Sequence, residues 1–214
     1  MDDGKANALS PDILGSLSDA FAKAEADGAS AVLLQGRPGK FSAGFDLSVM
    51  TSGLDPMRAL VTQGAELLLD IFTYPMPVIS ACTGHALAAG ALVLLVSDVR
   101  IGAEGEFKIG LNEVAIGMGL PIFAIELARY RMPPSAFDSA LLGEVFAPAE
   151  AVTAGYLDRT STNVLDDAMA TAQKHANLRS GAVRHSKDLA RNAIAASIRN
   201  TLSADMASLS GPAS

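Results

Sequence analysis

The chain has 214 residues, half of them hydrophobic, with a formal net charge of −7 and a pI near 4.9. That balance argues against general nucleic-acid binding, because phosphate backbones select basic surfaces. One cysteine excludes an internal disulfide and fits a reducing cytoplasm, and the acidic, polar start MDDGKANALS does not read as a secretion signal.

No long linker interrupts the chain, so one domain is expected. Only 5% of residues are aromatic and none is Trp, so Ala, Leu, Val, Ile and Met must fill the core. Ser10-Pro11-Asp12 reads as a helix start, with an N-cap, a proline at the first helical position and an acid in the first turn. Ile13, Leu14, Leu17, Phe21 and Ala24 follow at helical spacing, and Asp27-Gly28 ends the run. Residues 31–34 predict a short strand buried on both faces. Residues 36–40 read as a loop, and a second amphipathic helix is predicted over 56–72.

Residues 77–97 carry no Asp, Glu, Lys or Arg. Length alone admits a membrane span, but the interior argues for a strand, a turn and a buried helix. Val78-Ile79 suits a strand, and Ser80, Cys82, Thr83, Gly84 and His85 read as a turn. The helix-forming part, 86–96, is about eleven residues and too short to cross a bilayer. Cys82 reads as a small core residue. His85 reads first as a hydrogen-bonded turn residue.

Residues 99–103 and 107–110 predict strands, and 111–120, with Gly117 and Gly119, a loop. Helices are predicted at 121–130, 134–142, 148–154, 164–176 and 182–209, and the tail 208–214 is expected to fray. Strands and helices alternate early and helices dominate late, which is the pattern of an α/β fold with a helical C-terminal part.

The chain contains no GxGxxG, GxxxxGK[ST] or GxSxG. His85, His175 and His185 are far apart with no cysteine partner, so no metal site is expected. Three other segments carry chemistry: FSAGFDL at 41–47, GHALAAG at 84–90 and IGLNEVAIG at 109–117. Small residues let a ligand approach the backbone, and amides at a helix start are oriented donors. Two such amides on one carbonyl oxygen make an oxyanion hole. Glu113, among apolar neighbours, reads either as a cap or surface residue or as a base with a raised pKa.

In this order and spacing the three segments resemble the crotonase (enoyl-CoA hydratase/isomerase) superfamily. The likeness runs from DGKANALS at 3–10 through FAPAEA at 146–151 to GYLD at 155–158. It implies an α/β ClpP/crotonase-like spiral of ββα turns over 1–155, and a helical C-terminal trimerisation region over 156–214 within the same functional unit. It also implies a fatty acyl-CoA thioester as substrate, with coenzyme A part of that substrate and no separate cofactor. A homotrimer or hexamer completes what the resemblance implies, while a cytoplasmic location with no nucleic-acid or membrane partner is what the composition and the short apolar helix lead one to expect. By position, the Phe45 and Ala89 amides are the oxyanion donors. The loop of Ala43, Gly44 and Asp46 lines the adenine pocket, and Lys5 neighbours the CoA phosphates. Ala89 stands where the family usually has Gly, and Phe45 where it has a small or aliphatic residue.

Hydratases of the family carry a catalytic Glu three residues past the second donor, and here that position is Leu92. The other family carboxylate is retained as Glu113. Shifting a double bond needs one base, so the chain resembles the Δ3,Δ2-enoyl-CoA isomerases more closely, which also show Leu there and an IGLNE segment. The expectation is an isomerase working through an oxyanion-stabilised dienolate with Glu113 as base. The alternatives are an enoyl-CoA hydratase or other crotonase activity, or a non-catalytic acyl-CoA-binding subunit. Family members usually have a β-hairpin before the DDGKANALS segment. Either the frame therefore begins upstream of Met1, or the first strand is absent and a sheet edge is exposed.

Overall fold

Helix α1 (Pro11–Ala26) begins where its cap residues place it, and Ser10 Oγ accepts a hydrogen bond from the Ile13 amide. The structure is a computed structural model that describes residues 1–210. After α1 the chain repeats one unit, two strands and then a helix. The first turn is β1 (Val32–Gln35), β2 (Gly39–Ser42), the short α2 (Leu47–Met50) and α3 (Leu54–Phe72). The second is β3 (Val78–Cys82), β4 (Gly84–Leu87) and α4 (Ala89–Val96). The third begins with β5 (Val99–Ala103) and β6 (Ile109–Gly110) and continues into α5 (Ile122–Arg131), α6 (Pro134–Leu141) and α7 (Pro148–Ala154). Strand β7 (Arg159–Ser161), α8 (Val164–Ala176) and α9 (Ser180–Ser208) close the described chain.

Each turn lays one strand on each of two parallel sheets, ordered β1-β3-β5-β7 and β2-β4-β6. This is the α/β spiral of ββα turns, with the helical C-terminal part, that the resemblance implies. The crossing from sheet to sheet depends on glycine at 84. A Cβ there would lie 1.9 Å from the Gly39 carbonyl carbon, so only glycine lets β4 meet β2.

The core forms around α4, whose eight residues are all buried, as are all five of β3. A helix apolar on every side belongs at the centre of such a fold. Helix α8 lays Ala168 and Ala172 against Ile79, Ala81 and Ile101 of the first sheet. Helix α9 packs back over α3 and α5. Among the described residues no helix is long and apolar enough to cross a membrane.

Several expected boundaries move. The turn expected at 80–85 is instead the junction of β3 and β4, and helix α4 starts at Ala89 rather than at residue 86. The reason is long-range, since His85 and Ala86 pair with Lys40 and Ser42 of β2, which also turns part of the expected 36–40 loop into strand. Strand β1 is not buried on both faces: Leu34 is buried, but Ala31, Val32 and Leu33 are only half-buried. Leu209, in the tail expected to fray, is 9% exposed and packs on the core, while residues 211–214 lie outside the described ones.

Candidate active site

The first segment, at the end of β2, is braced by the N-terminal stretch. Asn7, fully buried and at φ 53°, donates through Nδ2 to the Lys40 and Phe41 carbonyls at 3.1 and 3.2 Å. Ser42 Oγ donates to the Asn7 carbonyl at 2.8 Å and accepts from the Gly44 amide at 3.2 Å. The Leu9 amide donates to the Gly44 carbonyl at 2.8 Å. The backbone around Phe45 is therefore held by bonds that leave the Phe45 amide without an acceptor among the described residues.

The second segment meets it directly. A Cβ on Gly44 would lie 2.8 Å from Ala88 Cβ and 3.1 Å from the Ala89 nitrogen, so the two loops touch through the absence of a side chain at 44. Ala89 is the first residue of α4, where an amide has no intrahelical partner. Ala88, just before it, sits at φ 50° and ψ −128°, a conformation that L residues rarely adopt and that turns the 88–89 peptide. The Ala88 amide donates to the Gly110 carbonyl at 3.0 Å, which ties this peptide to β6. The methyl of Ala89 is fully buried, and the ring of Phe45 nests on α3, where a Cβ on Gly64 would lie 2.2 Å from its Cε1.

The third segment supplies the carboxylate. Glu113 stands at the start of a single 3₁₀ turn, Val114–Ile116, and its carbonyl accepts from the Ile116 and Met118 amides. Burial pushes its carboxyl up to about 7, against the opposing effect of a hydrogen bond from its own amide. Its Oε2 and the neighbouring Asn112 Oδ1 are both buried without a hydrogen-bond partner. The loop is positioned from beneath by Tyr156, fully buried, whose Oη accepts from the Leu111 amide at 3.2 Å. Tyr156 in turn follows Gly155, whose carbonyl accepts from Arg100, and Arg100 also pairs with Asp158 at 2.6 Å.

All three segments open on one cavity of about 300 Å³, walled by Phe45, Ala88, Leu92, Asn112, Glu113 and Leu209 among others. The wall is overwhelmingly apolar, and Glu113 is its one acidic residue. A second cavity of about 340 Å³ shares Ala43 and Leu87 with the first and is flanked by Ala6, Lys40, His85 and Lys108. His85 Nδ1 accepts from the Lys108 amide at 3.0 Å, and its ring meets Phe107 edge-on. An apolar, carboxylate-bearing chamber thus opens beside a second apolar one that two lysines flank.

Phe45, Ala88-Ala89 and Glu113 are brought together, and Ala43 and Gly44 lie at the junction. Lys5 is exposed and walls neither cavity. Asp46 caps α2, accepting from the Ser48 amide at 2.8 Å and hydroxyl at 2.6 Å. Those Ser48 bonds, and more weakly the Lys5 charge, hold its carboxyl below the usual range. Sequence reasoning missed Asn7, Asn112, Lys40, Lys108 and Leu209. Asn112, adjoining Glu113, is the one whose place in the segment was a usable signal.

Residues 1–212 match the family described as Enoyl-CoA hydratase/isomerase. A "Probable enoyl-CoA hydratase" of Bacillus subtilis is 34% identical over 179 residues, covering 80% of this chain and 69% of that protein. The human mitochondrial enoyl-CoA delta isomerase 1 is 35% identical over 159 residues, covering 72% of this chain and 52% of the relative. Among solved structures, an enoyl-CoA hydratase/isomerase family protein from Pseudomonas syringae superposes with a TM-score of 0.94 at 38% identity. The match covers 97% of this chain and 91% of that one.

Proposed function

Because the chain belongs to the enoyl-CoA hydratase/isomerase family of the crotonase superfamily, whose enzymes act on acyl-CoA thioesters, we propose that it shifts a double bond in an enoyl-CoA. The observation that carries this reading is Glu113, the single acid in the wall of an apolar cavity, with Leu92 facing the same space. In the proposed step the Glu113 carboxylate takes a proton from C2 of a 3-enoyl thioester. The electrons move to the thioester oxygen, which the Phe45 and Ala89 amides stabilise as a dienolate. Glu113 then returns the proton at C4, leaving the 2-enoyl thioester. One base serves both transfers, so no second carboxylate is required. Lys40 and Lys108, beside the junction, suit the phosphates of coenzyme A. Ala43 and Gly44 are the backbone that the nucleotide portion approaches, with Lys5 and Asp46 at its outer side.

Hydration of a 2-enoyl thioester, or another activity of the family, is the second reading, and the comparisons support this broader reading better than the isomerase alone. The Bacillus subtilis relative is named as a hydratase. The unpartnered Asn112 Oδ1 beside Glu113 offers water a second polar group. A non-catalytic acyl-CoA-binding role is the third. Incubation with 3-enoyl-CoA and with 2-enoyl-CoA separates them. Rapid 3-hydroxyacyl-CoA formation from the 2-enoyl substrate would sink the isomerase reading. Glu113→Gln is expected to lower isomerisation by about 100- to 10,000-fold, the range of a general base.

The proposal extends to assembly as a homotrimer or hexamer in the cytoplasm, with the helical region over 156–214 contributing the contacts. Leu189, Leu178, Met169 and Leu165 support it, since these apolar side chains of α8, α9 and their link are 75%, 51%, 48% and 43% exposed. Light scattering on the purified chain reads the mass, and a monomer would remove this part.

A further inference from the structure

We infer that Leu209 is the end wall of the apolar cavity and sets the tail length of the acyl chain that the site accepts. The inference rests on the proposed thioester site. Helix α3 acts as a ruler for it. Gly64 carries the Phe45 ring, Val61 lines the cavity about one turn earlier, and Arg58, a further turn back, grips the end of α9. Between residues 64 and 58 the helix advances about 9 Å, at a rise of about 1.5 Å per residue. Phe45, whose amide is the proposed oxyanion donor, and Leu209 are thus tied to α3 at positions about 9 Å apart, and both line the cavity.

Leu209 is held rather than loosely packed. Its carbonyl accepts from Arg58 Nη2 at 3.1 Å and Nε at 3.4 Å, and the Ala207 carbonyl accepts from the same Nη2 at 2.8 Å. About one turn earlier on α9, Asp205 is 8% exposed and accepts from the Ile122 amide at 2.7 Å. That bond caps α5, which contributes Phe123 and Ala124 to the same cavity. Ties to two different helices thus fix an apolar side chain across the path of the tail. A fixed apolar wall discriminates by volume, and a single methylene in such a pocket is worth about tenfold or more in kcat/KM.

The experiment measures kcat/KM for a series of 3-enoyl-CoA substrates of increasing tail length, with the wild type, Leu209→Ala, Leu209→Trp and Leu209→Met. The ratio of long-chain to short-chain kcat/KM is expected to rise about tenfold or more in Leu209→Ala and to fall by a similar factor in Leu209→Trp. Leu209→Met conserves volume and is expected to keep the wild-type profile. Identical profiles in the Ala and Trp variants overturn the inference. So does a Met variant displaced as far as the Ala variant, since that would report the seating of α9 and not the volume at 209. Glu113→Gln in the wild-type background tells this failure from failure of the site itself. Full activity there removes Glu113 and with it the proposed site, whereas loss of activity there, with the Leu209 variants keeping the wild-type length profile, removes Leu209 alone.

Discussion

An ionised Glu113 is costly to keep folded, and that cost has a direction in pH. Burial raises its carboxyl from the ordinary 4.5 to about 7, so the folded chain holds a proton that the unfolded chain has released. Its contribution to stability is fully present below about 4.5 and is lost as pH rises through about 7. The loss amounts to about 3 kcal/mol at most. Glu113→Gln is therefore expected to be more stable than the wild type in urea at pH 8 by up to about 3 kcal/mol, with little difference near pH 5. Isomerisation by the wild type should run the opposite way, rising with pH to a plateau above about 7 as the base ionises. Equal urea stability at both pH values would show that the carboxylate is solvated after all. At this scale Glu113 stands out in the sequence through the segment that contains it, and Leu92 through its place three residues past Ala89. Lys40 and Lys108 do not, because a lysine's place beside a cavity is decided by strand pairing between distant residues.

At the scale of elements, the proposed site depends on how closely α4 approaches β2. A Cβ on Gly90 would lie 2.5 Å from the Ser42 carbonyl oxygen and 2.8 Å from Ser42 Cβ, and Ser42 is itself hydrogen-bonded to Asn7. Gly90→Ala must push the first turn of α4 away from the Phe45 loop. Overpacking of this kind typically costs about 1–3 kcal/mol. The expected result is a modest fall in urea midpoint with a disproportionate fall in kcat, because the two amides separate. A kcat loss no larger than the stability change explains would detach the amide pair from catalysis. Helices that carry their own signals were legible from sequence: α1 from Ser10 and Pro11, and α7 from Pro148. Strand β4 was not, because Gly84 and His85 have turn chemistry locally and become strand only by pairing with Gly39 and Lys40 of β2. The same holds for β7, three residues whose only strand signal is a partner, β5, far back in the chain.

Across the whole molecule, Asp98 fastens the C-terminal helix to the spiral. Its Oδ2 accepts from the Val78 amide and from Lys187 Nζ, both at 2.7 Å, and its Oδ1 pairs with Arg191 at 2.8 Å. Lys187 also donates to the Met76 carbonyl, and Arg191 to the Phe72 carbonyl while its guanidinium lies 4.9 Å over the Phe72 ring. Burial lowers the Lys187 ammonium, and Asp98 opposes that shift. Removing the carboxylate strands two buried cations. Asp98→Ala is expected to lose about 3–5 kcal/mol in denaturant unfolding, the usual range for breaking a buried pair. Hydrogen exchange should then accelerate along α9, and undisturbed exchange there would assign the loss to β3 instead. Since α9 runs from this anchor to Leu209, damage at one end of the helix is expected to reach the apolar cavity at the other.

Cys82 ends strand β3, its Sγ donating to the Gly84 carbonyl at 3.2 Å, and burial pushes the thiol up to about 12. Such a thiol neither ionises near neutrality nor meets solvent, so it reacts only while the β3–β4 junction is open. With a single cysteine in the chain, a thiol reagent becomes a stopwatch for that opening. Under native conditions the labelling half-time should be far longer than that of the unfolded chain, and Asp98→Ala should shorten it. A native protein labelled as fast as free cysteine would mean that the junction feeding β4 toward the proposed oxyanion site opens continually.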